Sequence, residues 1–174
     1  MNEILKNIKE RRSTKRFKPE AMPSEADIEK IIEAGLAAAS GRNRQAPIIL
    51  AVTDKSTRDR LSAANAAVMG ASGDPFYGAP VVLVVLADRD VHTYVYDGSL
   101  VIGNMMLAAE SLGLGSCWIH RAREVFDTEE WKNFLSELGI EGDYEGIGNC
   151  VIGYPEGEAK AAPQMRPNRV FYVK

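Results

Sequence analysis

Apolar residues recur at helical spacing in two stretches near the start of the chain. Ile4, Leu5 and Ile8 share one face of a first predicted helix, with Asn2 placed to cap it. Ile28, Ile31, Ile32 and Leu36 do the same in a second, with Ser24 at its N-cap. Asp27 falls in that helix's first turn, where a negative charge suits the helix dipole. The helix runs out in the small-residue segment 37–41. Between the two helices, residues 11–18 (RRSTKRFK) break the pattern, and Pro19 and Pro23 mark a loop.

The pattern then changes period. Residues 47–53 (PIILAVT) form a short apolar run of strand type, and Asp54 can cap a helix carrying Leu61, Ala64 and Val68. Residues 72–80 are a Gly- and Pro-rich loop. Residues 80–87 (PVVLVVLA) lack polar alternation, which predicts a strand buried on both faces. Residues 96–112 are apolar nearly all round, as in a helix at the centre of a core or an interface, and Gly98, Gly103 and the Ala108-Ala109 pair would let another backbone come close. Thr128 is placed to cap a helix with Trp131, Phe134, Leu135 and Leu138 in register, stopped by Gly139. Residues 146–153 (GIGNCVIG) and 169–173 (RVFYV) read as strands. Interleaved helices and buried strands, without a repeat or linker, predict an α+β sandwich: a central sheet flanked by helices, in one domain over residues 1–174.

Bulk composition narrows the classes further. The chain has 174 residues, of which 45% are hydrophobic and 26% charged, an ordinary globular balance. A net charge of -3 gives no bulk attraction for nucleic acid or membrane. The opening residues lack a secretory-signal pattern, and no apolar run approaches the ~20 residues that span a bilayer. Cys117 and Cys150 are the only cysteines and have no metal-binding spacing, so reduced thiols in a cytoplasmic protein are expected.

Several chemistries find no support. No phosphate loop ending in Gly-Lys-Ser/Thr is present. Gly113-Leu114-Gly115 lacks the third glycine of a dinucleotide fingerprint and follows a helix rather than a strand; Gly146-Ile147-Gly148 runs into a strand. His92 and His120 lie far apart without a ligand set, and no Gly-x-Ser-x-Gly elbow occurs.

What remains are three segments, each open to two readings. Arg11, Arg12, Ser13 and Lys15 put cations and a hydroxyl at a helix end, a pattern suited to phosphate oxygens or to a solvated basic loop. Ser40, Gly41, Asn43 and Gln45 offer amide donors and acceptors suited to a pyrimidine edge, or form a plain surface loop. Residues 113–120 (GLGSCWIH) are a candidate site element or a helix stop followed by a core strand.

The order and spacing of these pieces resemble the nitroreductase family. Residues 11–17 (RRSTKRF) are similar to its N-terminal motif, and Ser40 to Gln45 to its Pro-Ser-x-x-Asn-x-Gln-Pro stretch. Asp97-Gly98 through Leu112-Gly113-Leu114-Gly115-Ser116-Cys117-Trp118-Ile119 resembles its long buried helix and following glycine segment, and Arg166-Pro167-Asn168-Arg169-Val170-Phe171-Tyr172-Val173 its C-terminal tail. The resemblance spans almost the whole chain. It implies a sandwich with a central mixed sheet, a homodimer with FMN at the interface, and a C-terminal tail reaching the partner subunit. Arg11, Ser13 and Lys15 would hold the FMN phosphate and ribityl chain, with Arg12 close by and Arg166 adding a second phosphate contact. Ser40 and Asn43 would reach the isoalloxazine edge from the partner subunit, with Gly41 and Gln45 of the same segment also binding cofactor. Main-chain groups of Ile119, His120 and Arg121 would lie over the reactive N5 side. Two departures are visible: Gln45-Ala46-Pro47-Ile48 replaces the family's Gln-Pro-Trp, and little chain lies between Leu61 and Pro80 to roof a pocket.

The activity implied is ping-pong reduction of nitroaromatics, quinones or related small acceptors by NAD(P)H. With the chemistry carried by the cofactor, no catalytic side chain is expected; His120 is a candidate proton donor or a structural residue. The alternatives are a flavin-binding protein without turnover and a small nucleic-acid-binding module built on residues 11–18.

Overall fold

The computed structural model describes residues 2–157, 161, 162 and 164–174. In chain order the elements are α1 (Glu3–Glu10), α2 (Glu25–Leu36), a 3₁₀ turn (Gly41–Asn43), β1 (Pro47–Val52), α3 (Lys55–Val68), β2 (Val81–Asp88), α4 (Tyr94–Ser111), β3 (Gly115–Ile119), α5 (Ala122–Phe126), α6 (Glu129–Glu137) and β4 (Tyr144–Gly153). The sheet order is β1-β2-β4-β3, and every pairing of these strands is antiparallel. The mixed character expected of the sheet is confined to one isolated parallel bridge, Ser13 with Ser116.

Residues 81–87 of β2 are fully buried, as their unbroken apolar run predicts. Side-chain alternation divides the core in two. Val82, Val84 and Leu86 face Leu61, Phe76, Phe126 and Trp131, whereas Val81, Leu83 and Val85 face Ile28, Ile31, Ile102 and Met105. α3, α5 and α6 therefore cover one side, and α2 and α4 the other. Between Val85 and Leu86 the register with β4 slips, leaving Ile147 as the extra residue of a β-bulge. Gly98 makes room for it: a Cβ there would lie 2.7 Å from Ile147 Cγ1.

The caps follow the sequence closely. Asn2, Ser24 and Asp54 accept from the backbone N–H groups of Ile4, Asp27 and Thr57. Thr128 departs from expectation: it occupies the N-cap of α6, but its hydroxyl donates back to the Val125 carbonyl.

Other expectations need correction. Residues 169–173 form no strand: Phe171 and Tyr172 are 84% exposed, and the run pairs with neither edge strand, β1 nor β3. α4 is not covered all round: Val95, Tyr96 and Leu100 are exposed. No atom comes within 4 Å of a Cβ built on Gly103, so that glycine serves no close approach within the chain. The apolar stripe of α1 exists as predicted, yet Ile4, Leu5 and Ile8 remain exposed, the helix being tied to α4 by an Asn7 side-chain amide donating to the Leu107 carbonyl at 2.9 Å.

Candidate functional site

The basic segment after α1 is laid against the sheet rather than left in solvent. Thr14 N–H donates to the Ser116 carbonyl at 2.9 Å, and Phe17, almost fully buried, donates its N–H to the Tyr77 carbonyl at 3.2 Å. Gly115 permits the approach, since a Cβ there would lie 2.5 Å from Thr14 Oγ1. Arg12 caps α1: its Nη1 donates to the carbonyls of Lys9 at 2.6 Å and Arg11 at 2.7 Å. Anchored in this way, Ser13 and Lys15 are held exposed beside β3.

Two cavities meet at Lys15. The larger, about 580 Å³, is lined by Arg12, Ser13, Lys15 and Arg16 together with Glu10, Glu110 and Glu156. Arg16 and Glu156 pair across it at 2.8 Å. The second, about 360 Å³, is bounded by Lys15, Trp118 and the turn Ile119, His120 and Arg121 on one side, and by Ala66, Met69 and the loop from Ala71 to Tyr77 on the other. The short stretch between Leu61 and Pro80, expected to contribute little roof, thus forms one wall.

That wall is fastened by Asp74. Its carboxylate accepts from Arg58 Nη2, the Ser62 hydroxyl and the backbone N–H groups of Phe76 and Gly78. Burial alone would push the Asp74 carboxyl up. The Arg58 guanidinium, the Ser62 hydroxyl and the two amides outweigh it and hold the group below the usual carboxylate range. On the opposite side of the site, burial pushes the Cys150 thiol up, reinforced by Cys117 and opposed by Arg11. Both thiols are buried, and neither is joined in a disulfide.

Arg11 lines neither cavity. It is half-buried beside them, and its Nη1 is buried without a hydrogen-bond partner among the described residues, as is Arg12 Nε. Buried cationic donors in this condition call for an acceptor, because an unmade bond to a charged group is costly. A phosphate beside residues 11–15 would satisfy them.

The remaining expected site residues lie apart. Gly41 N–H donates to the Asp97 carboxylate, placing the Ser40 to Gln45 segment at the start of α4 and outside both cavities. Within it, Gln45 N–H donates to Ser40 Oγ, and the Gln45 amide donates to Asn43 Oδ1 at 3.1 Å. Arg42, Asn43 and Gln45 all have positive φ, between 52° and 55°. Such strain in non-glycine residues gathers where a fixed presentation of side chains matters. Arg166 is exposed in the C-terminal segment, away from both cavities. One chain therefore brings together Ser13, Lys15, Ile119, His120 and Arg121, with Arg11 and Arg12 adjacent, and leaves Ser40, Gly41, Asn43, Gln45 and Arg166 elsewhere.

Sequence reasoning missed Asn65 and Asp74, and carried Trp118 only as part of the segment 113–120. Asn65 carried a signal: it stands one turn from Leu61 on the buried face of α3, a core position where an amide needs a partner.

An antiparallel four-stranded sheet covered by helices on both faces, with a cationic segment pinned to an edge strand beside two joined cavities, defines the class as an α+β protein with its candidate site at the sheet edge. The model of the nitroreductase family matches residues 8–75 and 69–154, and the chain belongs to that family. A protein of Archaeoglobus fulgidus, provisionally named an NADH dehydrogenase/NAD(P)H nitroreductase, is 32% identical over 183 residues, covering 100% of this chain and 99% of its own. An FMN reductase [NAD(P)H] of Bacillus subtilis is 27% identical over 192 residues, covering 95% of this chain and 71% of its own. Among solved structures, an FMN-bound nitroreductase of Desulfitobacterium hafniense superposes with a TM-score of 0.88 at 29% identity, over 100% of both chains.

Proposed function

We propose that the whole chain is one FMN-binding domain of a cytoplasmic homodimer, an oxidoreductase that uses NAD(P)H to reduce nitroaromatics, quinones or related small acceptors. The observation that carries this reading is the pair of unpartnered buried nitrogens, Arg11 Nη1 and Arg12 Nε, beside the cavity-lining Ser13 and Lys15. These residues suit a flavin phosphate; bound there, FMN would supply hydride and electron transfer, taking electrons from NAD(P)H and passing them to the acceptor in turn.

The protein's own part is binding, orientation and access. Arg11, Ser13 and Lys15 offer donors to phosphate and ribityl oxygens, and Arg12 fixes the segment that carries them. Lys15 stands where the larger cavity meets the second, which Ile119, His120 and Arg121 floor and residues 71–77 wall. Substrate and acceptor using that second cavity in alternation gives a ping-pong cycle. His120, exposed in its lining, is a candidate proton donor to the acceptor. Ser40, Gly41, Asn43, Gln45 and Arg166 complete the site from the partner subunit. The exposed stripe of Val95, Tyr96 and Leu100 on α4 and the uncovered apolar tail supply surface for such an interface.

The deciding experiment is a visible spectrum of the purified protein after incubation with FMN, repeated anaerobically with NADH and with NADPH. Flavin bands that stay with the protein and bleach on adding either nucleotide support the reading. Bands that stay but do not bleach with either favour a flavin carrier without turnover. Failure to retain FMN overturns it.

A further inference from the structure

Resting on the flavin reading above, we propose that Asn65, a residue that does not line either cavity, is a positioning residue that fixes the Ile119, His120 and Arg121 turn against the flavin. Asn65 is completely buried on α3, and its Nδ2 donates to the His120 carbonyl at 2.9 Å. Arg121 Nε lies 3.4 Å from Asn65 Oδ1 and donates back to it, so one amide holds both the His120 carbonyl and the Arg121 side chain.

The turn needs such a grip. Arg121 has φ of 73°, in the left-handed region that favours glycine, where an arginine backbone is strained unless its surroundings impose the conformation. Directly before it, the Ile119 carbonyl accepts from Asn149 Nδ2 at 3.4 Å, and Asn149 is likewise fully buried. Two buried amides thus hold two successive carbonyls.

Their effect reaches the cavity through peptide planarity. The chain has no cis peptide among its described residues, so each carbonyl points opposite to the N–H of the next residue. Drawing the His120 carbonyl onto Asn65 turns the Arg121 N–H away from α3. Drawing the Ile119 carbonyl onto Asn149 likewise orients the His120 N–H. Both residues line the second cavity, where oriented N–H donors suit the electron-rich N5–O4 edge of a flavin. Asn65 therefore acts on the cofactor only through the backbone that it holds.

The test compares wild type with Asn65→Ala, which removes both contacts, and Asn65→Asp, which keeps an acceptor for Arg121 but cannot donate to the His120 carbonyl. Three quantities are read: amide hydrogen exchange of peptides covering residues 118–123 without flavin, the FMN dissociation constant, and the midpoint potential of the bound flavin. Loss of one oriented hydrogen bond predicts roughly tenfold weaker FMN binding. Both variants should also show faster exchange confined to the turn, and potentials displaced toward that of free FMN. Wild-type exchange at the turn in Asn65→Asp overturns the proposal, as does faster exchange with unchanged affinity and potential. If Asn65→Ala does not fold, Asn65→Asp carries the same comparison. A wild-type protein that binds no FMN overturns the flavin reading, and this proposal with it. The exchange data then report separately whether Asn65 holds the turn.

Discussion

The backbone N–H of Gly41 donates to Asp97 Oδ1 at 3.0 Å, across 56 residues of chain. Asp97 is buried in the first turn of α4, and its other oxygen accepts from the Thr93 hydroxyl at 2.9 Å. The glycine is needed for this contact, because a Cβ at position 41 would fall 2.3 Å from Thr93 Oγ1. One carboxylate thereby anchors the whole Ser40 to Gln45 segment. Asp97→Ala should cost about 1.5–3 kcal/mol, the usual worth of hydrogen bonds to a charged group. Chemical denaturation checks the stability loss, and flavin titration should show weaker FMN binding if this segment serves the partner's site.

Arg11 offers a sharper test of the phosphate assignment. Removing a half-buried guanidinium whose buried Nη1 has no partner among the described residues should leave the fold intact and weaken FMN binding by about 10–100-fold. Flavin content after gel filtration, with circular dichroism as the control for folding, separates the two effects. Unchanged flavin content would remove Arg11 from the site.

Asp74 predicts a pH dependence. Its folded pKa lies below the unfolded value of ~3.9, so its stabilising contribution is complete above that value and is lost as pH falls through the folded pKa. Thermal melts should therefore show wild type losing Tm below roughly pH 4 more steeply than Asp74→Asn. At neutral pH the variant should be the less stable, because Arg58, with only a tenth of its side chain exposed, loses one of its two carboxylate partners and keeps only Asp59. Parallel curves for the two proteins would show that the clamp does not titrate as described.

Gly146→Ala tests the packing of α5 on β4. A Cβ at this position would lie 2.3 Å from the Ala122 carbonyl oxygen, a backbone atom that cannot rotate aside. Overpacking of this kind costs about 1–3 kcal/mol. Differential scanning calorimetry should record a Tm lower by roughly 2–10 °C.

The exposed tail predicts a separation of folding from assembly. Deleting residues 164–174, in which Met165, Val170, Phe171 and Tyr172 are uncovered, should leave the far-ultraviolet dichroism unchanged. Sedimentation at a series of concentrations should show weaker self-association than in the full chain. An undiminished dimer would mean that the tail contributes nothing to the interface.

Legibility in the sequence tracked locality. Residues 80–87 announce a doubly buried strand because no polar residue interrupts them, and Ser24 with Asp27 announces a helix start within four positions of chain. Residues 169–173 carry the same apolar strand signal, but forming a strand also needs a sheet edge brought alongside, which composition does not describe. Motif order points to Ser13, Lys15 and Arg121, which the fold brings to the cavity walls. What the motif could not convey was the inward turn of Arg11, or the pinning of Thr14 and Phe17 that makes a basic stretch into a site wall. Asn65 and Asp74 escaped because their partners, His120 and Arg58, lie 55 and 16 positions away, and only the fold brings them together.

The fully buried strand β2 contributes no residue to the cavity bounded by Ile119, His120 and Arg121. The walls come from the end of α3, the loop behind it and the turn after β3. Mutational libraries confined to Met69, Ala71, Ser72 and Tyr77, each exposed and lining that cavity, can therefore vary its wall while the buried strand stays constant. In such a chain, diversification of chemistry and retention of the fold are separable problems.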